Sequence, residues 1–188
     1  MFIVLSGVSS SGKNTVMEAL MKIRKDLKIL EFSSGTTRPK RDSDSRFNTY
    51  IYMSKEDFEK GIEEGKFFEY ENVHGNYYGM FKERLEKVVA DKECDYMRDI
   101  DVKGNVNLKK FFQGRSPMIS IFLDAPDDIL RERLRLRGDS LEDIEKRLSR
   151  SEMERSYKGN YDLVVENIDL NKTVKTINDF IESFKKAK

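Results

Sequence analysis

A glycine- and lysine-containing stretch near the start of the chain has the composition and spacing of a phosphate-binding loop. In GVSSSGKNT, residues 7–15, four residues separate Gly7 from Gly12, Lys13 follows at once, and the apolar run FIVL precedes. Glycines allow backbone dihedrals that turn N–H groups inward, a helix start adds partial positive charge, and a lysine reaches the outer phosphates. The stretch indicates nucleoside-triphosphate binding. The candidate ATP-binding residues here are Gly7, Ser9, Ser10, Ser11, Gly12, Lys13, Asn14 and Thr15.

The residue after this lysine departs from the usual form of such a loop. A serine or threonine hydroxyl normally coordinates Mg²⁺ there, whereas this chain has Asn14. An amide oxygen is also a hard, neutral donor, and Thr15 offers a hydroxyl beside it. Two interpretations stay open: Asn14 ligates the metal, or it only caps the helix that follows.

A second group of basic and hydroxyl side chains lies in SSGTTRPKR, residues 33–41. Arg38 and Arg41 are three residues apart, among two serines and two threonines. A guanidinium group presents its N–H donors as a planar fork that matches the oxygens of a phosphate monoester. The stretch therefore indicates a second phosphate site, the alternative being a solvated basic loop.

Seven arginines are concentrated between residues 131 and 155. Arg133 and Arg137 are four residues apart, so they share one face of a predicted helix. Such a local excess of positive charge in a nearly neutral chain indicates an anionic ligand. The alternative is that neighbouring carboxylates neutralise these arginines, namely Glu132, Glu142, Asp143 and Glu145.

The overall charge and composition limit the classes of partner. The 35 basic and 34 acidic residues leave a net charge of +1. Sequence-independent nucleic-acid binding needs a surplus of positive charge, so we expect no nucleic-acid partner. Cys94 is the only cysteine, which excludes an intrachain disulfide.

Length and hydropathy predict one cytoplasmic domain without a membrane partner. The 188 residues suit a single domain with its own core. No run of residues approaches the ~18–20 apolar positions needed to span a bilayer, and the first residues lack the basic region of a signal peptide. The sequence leaves open whether the chain is a monomer or a homo-oligomer.

The elements that must position the candidate residues alternate between strands and helices. Strands are predicted over residues 2–6, 27–32, 49–53, 66–73, 76–81, 96–100, 118–126 and 161–166. Helices are predicted over 13–24, 54–65, 84–90, from residue 101 through 109, and over 127–137, 141–155 and 171–185. This order predicts an α/β fold with a mostly parallel sheet covered on both faces.

Local patterns within these elements add detail. Ser54, with Asp57 three residues later, has the form of a capping box. The first helix is expected to bury Val16, Leu20, Met21 and Ile23, and the last helix to bury Val174, Ile177, Ile181 and Phe184.

Three further motifs, in order and spacing, make the chain resemble the guanylate kinase family. They are TTRPKR at 36–41, EYENVHGNYYG at 69–79 and DID at 99–101. The resemblance runs from the phosphate loop to the final helix. It implies a P-loop kinase core (residues 1–32, 83–126 and 156–188), a small GMP-binding subdomain (33–82) and a helical lid (127–155). It also implies Mg²⁺-dependent transfer of a phosphoryl group from ATP to GMP, with dGMP as a further acceptor.

The resemblance assigns the acceptor site residue by residue. It places Ser33, Arg38, Arg41, Tyr50 and Tyr78 around the GMP phosphate and its loop, and Glu69 and Asp101 opposite the guanine base. The chemistry is consistent, because guanine presents N1–H and an amino group, both donors, while carboxylates only accept. Adenine has no N1–H, so a buried Glu69 would be poorly paired against it.

The resemblance also assigns the catalytic groups. It implies that Arg133, Arg137 and Arg147 close over the triphosphate and stabilise charge on the transferred phosphoryl group. Lys13 is expected to be the core catalytic cation, and Arg38, which grips the GMP phosphate, is also counted as catalytic. Asp99 is expected to order Mg²⁺ or its waters, a structural role being the alternative, and Asn167 is expected near the adenine. Phosphoryl transfer depends mainly on positioning and on such charges rather than on a strong base.

Several residues depart from the family pattern. Met80 and Phe81 replace small hydroxyl residues after YYG, charged Arg98 replaces an apolar residue before DID, and Ile168 replaces an acidic residue after Asn167. They keep open a kinase for another phosphorylated acceptor, such as ribose 1,5-bisphosphate. A non-catalytic guanylate kinase-like binding module is a further alternative, although such modules typically lose phosphate-loop and lid residues. His74, the sole histidine, is expected to be structural.

Overall fold

The computed structural model describes residues 1–40, 49–73 and 75–187. The strands are β1 (Phe2–Gly7), β2 (Leu27–Ile29), β3 (Ser34–Thr36), β4 (Tyr50–Tyr52), β5 (Phe67–Val73), β6 (Asn76–Phe81), β7 (Asp95–Asp99), β8 (Met118–Asp124) and β9 (Leu163–Glu166). The helices are α1 (Lys13–Ile23), α2 (Lys55–Glu63), α3 (Lys82–Ala90), α4 (Val102–Phe112), α5 (Asp127–Arg137), α6 (Leu141–Arg155) and α7 (Leu170–Lys186), with a short 3₁₀ turn at Lys158–Asn160. None of the helices formed by these residues has the length and apolar character needed to cross a bilayer.

Five strands form the central sheet in the order β2-β7-β1-β8-β9. All four pairings in it are parallel. The predicted α/β fold with a parallel sheet is therefore confirmed. Parallel neighbours end at the same edge, and the phosphate loop after β1 and the DID motif at the end of β7 consequently lie side by side.

The central sheet is buried on both faces. In β1, Ile3 and Leu5 belong to the apolar cluster formed with α1 and α7, while Phe2 and Val4 belong to the cluster formed with α3 and α4. Successive strand side chains point to opposite faces, so a continuous apolar run is what a strand between two helical layers requires. The core thereby fixes the loop that follows β1.

A second sheet of four strands stands beside the first. Its order is β4-β3-β6-β5, with β3 and β4 parallel and the other pairs antiparallel. Ser34–Thr36 forms β3, a strand that was not predicted from the sequence. A three-residue strand of serine, glycine and threonine has no apolar periodicity to reveal it. It exists because β6 and β4 pair with it on either side.

Helix α2 covers one face of the second sheet through an aromatic stack. Phe58 lies 4.3 Å from Phe67 and 5.1 Å from Tyr77, measured between ring centroids. Ser54 caps this helix as predicted, with its Oγ accepting from the Asp57 N–H at 3.0 Å. The stack holds α2 on β5 and β6 and makes this part of the chain a separate packed layer.

Two details of the predicted core were wrong. Ile23, the last residue of α1, is 58% exposed, whereas Met17 of the same helix is fully buried. Strand β2 ends at Ile29 instead of continuing to residue 32. In the last helix, Ile177 and Ile181 are fully buried, and Val174 and Phe184 pack partly buried against them, as expected.

The two arginine-rich helices pack against each other across a short break. Gly138 ends α5 with φ +89°, a left-handed conformation that glycine adopts without strain. Ser140 then caps α6, its Oγ accepting from the Asp143 N–H at 3.1 Å. Leu130 and Ile144, one from each helix, are fully buried. The pair forms a hairpin that stands over the phosphate loop.

Candidate active site

The loop between β1 and α1 forms one wall of a cavity of about 590 Å³, a volume within the range of small-ligand sites. Nearly all of the predicted ATP-binding residues line it or an adjoining cavity. The first cavity is lined by Ser9, Ser10, Gly12, Lys13, Asn14, Thr15, Asp99, Arg133, Arg137, Asn167, Ile168 and Leu170. The second is lined by Gly7, Ser9, Lys13, Asp143, Lys146, Arg147, Arg150 and Glu154. The exception in the predicted set is Ser11, which lines neither of these two cavities and is fully buried.

Both loop glycines are required by the backbone. Gly7 has φ +147°, and a Cβ placed there would lie 2.0 Å from the Leu123 carbonyl oxygen. Gly12 has φ +91°, and a Cβ there would lie 2.5 Å from the Asn167 amide nitrogen. Any other residue would clash with the backbone of β8 or displace the Asn167 side chain. The glycine spacing in the sequence therefore reflects close packing as well as dihedral freedom.

Lys13 is folded over the loop. Its Nζ donates to the carbonyl oxygens of Gly7 and Val8, at 2.9 and 3.1 Å. Desolvation raises the pKa of Asp99 and of Glu154, both partly buried, and the nearby charge of Lys13 acts against that rise in each. A flexible ammonium that donates to these carbonyls can exchange the bonds for the stronger ones that phosphate oxygens offer.

Asn14 lies inside the first turn of α1 rather than at its cap. The cap position is Gly12, with no side-chain hydrogen bond, and the helix begins at Lys13. The interpretation that Asn14 only caps the helix is therefore wrong. Its amide lines the first cavity beside Thr15 and Asp99, all three of which carry hard oxygen donors.

The lid arginines reach the phosphate loop directly. Arg133 donates to the Asn167 carbonyl at 2.7 Å and to the carbonyls of Ser10 and Ser11 at 3.4 Å each. Arg147 donates to the Ser9 hydroxyl at 3.1 Å. The bonds to Ser9, Ser10 and Ser11 join residues that are more than 120 positions apart in the chain. The structure thus brings the predicted donor-side cations together around one loop.

One acidic residue that sequence reasoning missed organises the lid. Asp139 accepts from Arg137 at 2.6 and 2.7 Å and pairs with Arg147 at 3.2 Å. These two guanidinium groups hold the pKa of Asp139 below its usual value. Of the carboxylates proposed as neutralising partners, Glu145 pairs with Arg131 and Glu142 with Lys146. Carboxylates therefore pair with five of the seven arginines of this segment, Arg137 and Arg147 among them, whereas Arg133 donates to backbone carbonyls.

Glu154, near the end of α6, was also missed. Its Oε1 pairs with Arg150 at 3.1 Å, while its Oε2 is buried and has no hydrogen-bond partner among the described residues. Burial raises the pKa of Glu154. The helical periodicity that predicted α6 gave no signal for the burial of Glu154 beside Lys13, because this burial depends on how the lid folds back onto the loop.

The acceptor-side residues gather at the second sheet. The Arg38 guanidinium lies 5.6 Å from the Tyr50 ring centroid and 6.0 Å from that of Tyr52, and the side chain is buried. Tyr50 and Tyr78 meet edge to face at 6.1 Å. Arg38, Tyr50 and Tyr78 are therefore neighbours, and their contact with the GMP phosphate stays a prediction. Arg41 and His74 lie outside the described residues.

The two predicted base-recognition carboxylates meet at the start of α4. A Cβ built at Gly104 would lie 3.0 Å from Glu69 Oε1 and 3.6 Å from Asp101 Oδ2, so both carboxylates converge on that glycine. Asp101 caps α4, its Oδ1 accepting from the N–H groups of Lys103 and Gly104 at 2.9 Å each. Asn107, which sequence reasoning missed, donates to Glu69 Oε2 at 2.7 Å.

The protein environment of Glu69 favours the neutral, protonated form of its carboxyl more than water does. Burial raises its pKa, the Asn107 hydrogen bond lowers it, and the charges of Asp101 and Glu71 raise it again. Met80 stands directly opposite Glu69 in the β5–β6 pairing. Directly opposed residues have neighbouring side chains, so an apolar group here helps to keep the carboxyl dry.

Of the two residues that depart from the family pattern after YYG, Met80 is a core residue and Phe81 is partly buried. Met80 is 7% exposed and belongs to the cluster with Phe2, Val4 and Leu30. Phe81 stacks on Phe67 at 5.0 Å. Ser33 is also fully buried, with an Oγ that has no partner within the described part of the chain. Its contact with GMP stays a prediction.

Asn167 and Ile168 lie at the outer end of the donor cavity. The Asn167 side chain is buried and donates to the Ser11 carbonyl at 2.7 Å, which ties β9 to the phosphate loop. Ile168 is 57% exposed and lines the cavity together with Leu170. These apolar side chains offer a surface for a flat ring.

Comparison with known proteins identifies relatives over nearly the whole chain. The guanylate kinase family model matches residues 1–184. The chain is 38% identical to the guanylate kinase of Wolinella succinogenes over 178 residues, covering 93% of this chain and 80% of that protein. It is also 38% identical to the guanylate kinase of Chlorobaculum tepidum over 187 residues, covering 97% and 92%.

Solved structures give the same result at the level of the fold. The crystal structure of guanylate kinase from Anaplasma phagocytophilum superposes with a TM-score of 0.70 at 26% identity, over 97% of this chain and 85% of that one. Shikimate kinase from Bacteroides thetaiotaomicron superposes with a TM-score of 0.54 at 15% identity, over 97% and 98%. The second likeness concerns the fold alone.

Proposed function

Because the chain belongs to the guanylate kinase family, we propose that the cavity beside the phosphate loop takes ATP and that the second sheet takes GMP. The chain is an ATP:GMP phosphotransferase, yielding ADP and GDP. The proposal assigns that reaction to particular residues and extends the acceptor to dGMP, since none of the named acceptor contacts involves the ribose 2′-hydroxyl.

One observation carries the assignment: Asp99 stands between the two groups of residues. It ends β7, lines the donor cavity and is separated by one residue from the base-recognition carboxylate Asp101. Burial raises the pKa of Asp99, Lys13 and Arg98 lower it, and Asp101 raises it further. The pKa of this carboxyl responds to the charges of both Lys13 on the donor side and Asp101 on the acceptor side. The two nucleotides would therefore meet beside Asp99.

The roles follow from the charge of the reaction. Lys13 would contact the outer phosphates of ATP, and Arg133, Arg137 and Arg147 would stabilise the transferred phosphoryl group. Arg38 and Arg41, with Tyr50 and Tyr78, would hold the GMP phosphate, and Glu69 and Asp101 would accept from the guanine N–H groups. Preorganised cations of this kind supply most of the catalysis in phosphoryl transfer.

The donor cavity also suits Mg²⁺. The amide of Asn14, the hydroxyl of Thr15 and the carboxylate of Asp99 line one wall, and these are the hard oxygen donors that Mg²⁺ prefers. Among the described residues no cluster of three or more carboxylate, histidine or cysteine side chains forms a metal site. Bound with ATP, Mg²⁺ would neutralise charge on the β- and γ-phosphates.

Residues 127–155 would act as a lid and residues 33–82 as the GMP-binding subdomain. The lid arginines already contact the phosphate loop through Ser9, Ser10 and Ser11. Gly138 gives the hairpin a strain-free turn at which its two helices can move. Closure would exclude water and so prevent hydrolysis of ATP.

The alternatives are not favoured. A kinase for ribose 1,5-bisphosphate would have no use for two carboxylates converging on a base site at Gly104. A non-catalytic binding module would not need Lys13 and the arginines arranged around the phosphate loop.

A coupled assay of ADP release with GMP, dGMP, AMP, UMP and CMP tests the assignment. We expect turnover with GMP and dGMP well above that with the other three. Equal turnover with all five, or none with GMP, would contradict the proposed acceptor.

The raised pKa of Glu69 predicts a pH dependence confined to GMP. Glu69 must be ionised to accept from guanine, and its pKa lies above the usual 4.5. As pH falls from neutrality through this raised pKa, the carboxylate is protonated and the KM for GMP should rise. At neutral pH, Glu69→Gln should raise that KM about tenfold, because a charge-assisted hydrogen bond is lost.

Comparing the two proteins removes the titration of the substrate itself. The GMP phosphate also titrates near pH ~6, but it does so equally for wild type and for Glu69→Gln. The ratio of their KM values for GMP should shrink toward one as pH falls, with the KM for ATP unaffected by the substitution. A ratio that is constant across the range would remove Glu69 from base recognition.

A further inference from the structure

Arg98 carries a charge into the interior of the central sheet. It lies in β7, between β1 and β2, and is 2% exposed. Burying a guanidinium costs several kcal/mol unless hydrogen bonds replace its hydration. An arginine at such a position must therefore be held by specific acceptors, and those acceptors show what it does.

The Arg98 guanidinium bridges two chain segments that are distant in sequence. It donates through Nη1 to the Leu30 carbonyl at 3.2 Å and to the Thr49 hydroxyl at 3.4 Å. Through Nη2 it donates to the Thr49 carbonyl at 3.2 Å. Leu30 directly follows β2 of the central sheet, and Thr49 directly precedes β4 of the second sheet. One side chain thus fastens the two sheets together.

The segment it fastens is where the chain passes from one sheet to the other. Phe32 lies between β2 and β3 with φ +48°, a left-handed conformation that is strained for a bulky residue. Its N–H donates to Thr49 Oγ1 at 2.7 Å, the same hydroxyl that Arg98 contacts. Arg98 and Thr49 together therefore hold the strained crossing point in one conformation.

Beyond Thr49 the same connection reaches the acceptor residues. Tyr50 is the next residue and the first of β4, and its ring contacts both the Arg38 guanidinium and the Tyr78 ring. Arg98 also acts on Tyr50 electrostatically, since its charge lowers the pKa of Tyr50 against the larger raising effect of burial. A shift of Thr49 would carry Tyr50 away from Arg38.

We infer that Arg98 is a positioning residue for the acceptor: through Thr49 it sets the second sheet so that Tyr50 and Arg38 converge on the GMP phosphate. This inference rests on the proposed function. Arg98 does not itself touch the substrate. The alternative is that Arg98 contributes only to the stability of the fold.

The test separates positioning from stability by measuring KM for each substrate. Arg98→Met, which keeps length and removes the donors, should raise the KM for GMP about tenfold while leaving that for ATP within about twofold. Arg98→Lys should recover part of the loss, since a lysine keeps a donor but not the fork. Thr49→Val, which removes only the hydroxyl, should raise the KM for GMP about threefold and add little in the Arg98→Met background.

The matched control is a second buried arginine. Arg24 is 6% exposed and bonds Asp26, Asn178 and Glu182, at the α1–α7 side of the core. Arg24→Met should lower the melting temperature while leaving the KM for GMP unchanged. If Arg98→Met fails to fold, Arg98→Lys and Thr49→Val still show whether the KM for GMP rises while the KM for ATP stays unchanged.

Two results overturn the inference in distinguishable ways. Equal changes in both KM values, or a lower melting temperature with an unchanged KM for GMP, would show that Arg98 has a purely structural role in an active enzyme. A wild-type chain without GMP turnover would overturn the proposed function, and this inference with it.

Discussion

Replacing Lys13 by methionine is expected to lower kcat about a thousandfold. The substitution keeps the unbranched side chain and removes the ammonium, and loss of one preorganised charge-stabilising group costs about 100- to 1,000-fold in kcat. Lys13 is placed for such a role because its Nζ lies over the phosphate loop, 2.9 Å from the Gly7 carbonyl and 3.1 Å from that of Val8. Single-turnover and steady-state rates with saturating ATP and GMP measure the effect.

A lysine on the same helix provides the control. Lys22 is exposed in the last turn of α1, away from the loop, so Lys22→Met should retain full activity. The melting temperature of Lys13→Met should stay close to that of the wild type, because the bonds it loses are to two carbonyls at a partly exposed site. A variant that keeps a tenth or more of the wild-type rate would show that Lys13 is not the main cation at the transferred phosphate.

The central sheet could be predicted because its signals are local. β1 and β8 are apolar runs buried on both faces, and α6 and α7 have cap residues and a regular period. The loop glycines follow from a motif whose spacing matches its backbone geometry. For these elements propensity, periodicity and tertiary packing agree, which is why reasoning from the chain alone succeeds.

The second sheet could be predicted only in part because its pairing is not local. β3 is three residues long, with a glycine at its centre, and owes its strand conformation to β4 and β6. The charge of Arg98 was noticed in the sequence, but its acceptors, Leu30 and Thr49, are 68 and 49 residues away. The hydrophobic periodicity of a sequence carries no information about side-chain contacts between residues so far apart in the chain.

The same limit applies to the candidate site. The residue types that could bind phosphate were evident from the sequence, and in the structure the described ones lie around the phosphate loop and at the second sheet. The contacts of nucleotides with these residues stay a prediction. The groups that hold them were not evident: Asp139 between two lid arginines, and Asn107 on Glu69. Each of these is an unremarkable polar residue on a helix or turn until the fold brings its partner to it.

Replacing Arg38 by alanine is expected to raise the KM for GMP roughly a hundredfold, with kcat lowered as well. Truncating a buried, hydrogen-bonded partner of a charged group costs about 2–5 kcal/mol, and a hundredfold change is about 2.7 kcal/mol. The KM for ATP should change by no more than about twofold, because Arg38 lies on the second sheet beside Tyr50 and Tyr52.

The reason for so large an effect is that Arg38 is already held in place. Arg38 is 7% exposed. Its backbone N–H donates to Thr36 Oγ1 at 3.2 Å, and its side-chain Nη1 donates to the Pro39 carbonyl at 2.8 Å. A phosphate monoester would find the guanidinium fork oriented and partly desolvated, so little further ordering has to be paid for on binding. Arg38→Lys should restore only a fraction of the affinity, because a lysine offers a point charge instead of two parallel donors.

An arginine on the protein surface serves as the matched control for Arg38. Arg115 pairs with Glu86 at 2.6 Å and lies 4.2 Å from the Phe111 ring, away from both nucleotide faces. Arg115→Ala should leave both KM values unchanged, whereas Arg38→Ala should affect GMP selectively. A loss shared equally by GMP and ATP would show that the substitution had disturbed the fold as a whole. An unchanged KM for GMP would place the acceptor phosphate somewhere other than beside Tyr50 and Tyr78, and the second sheet would then need another role.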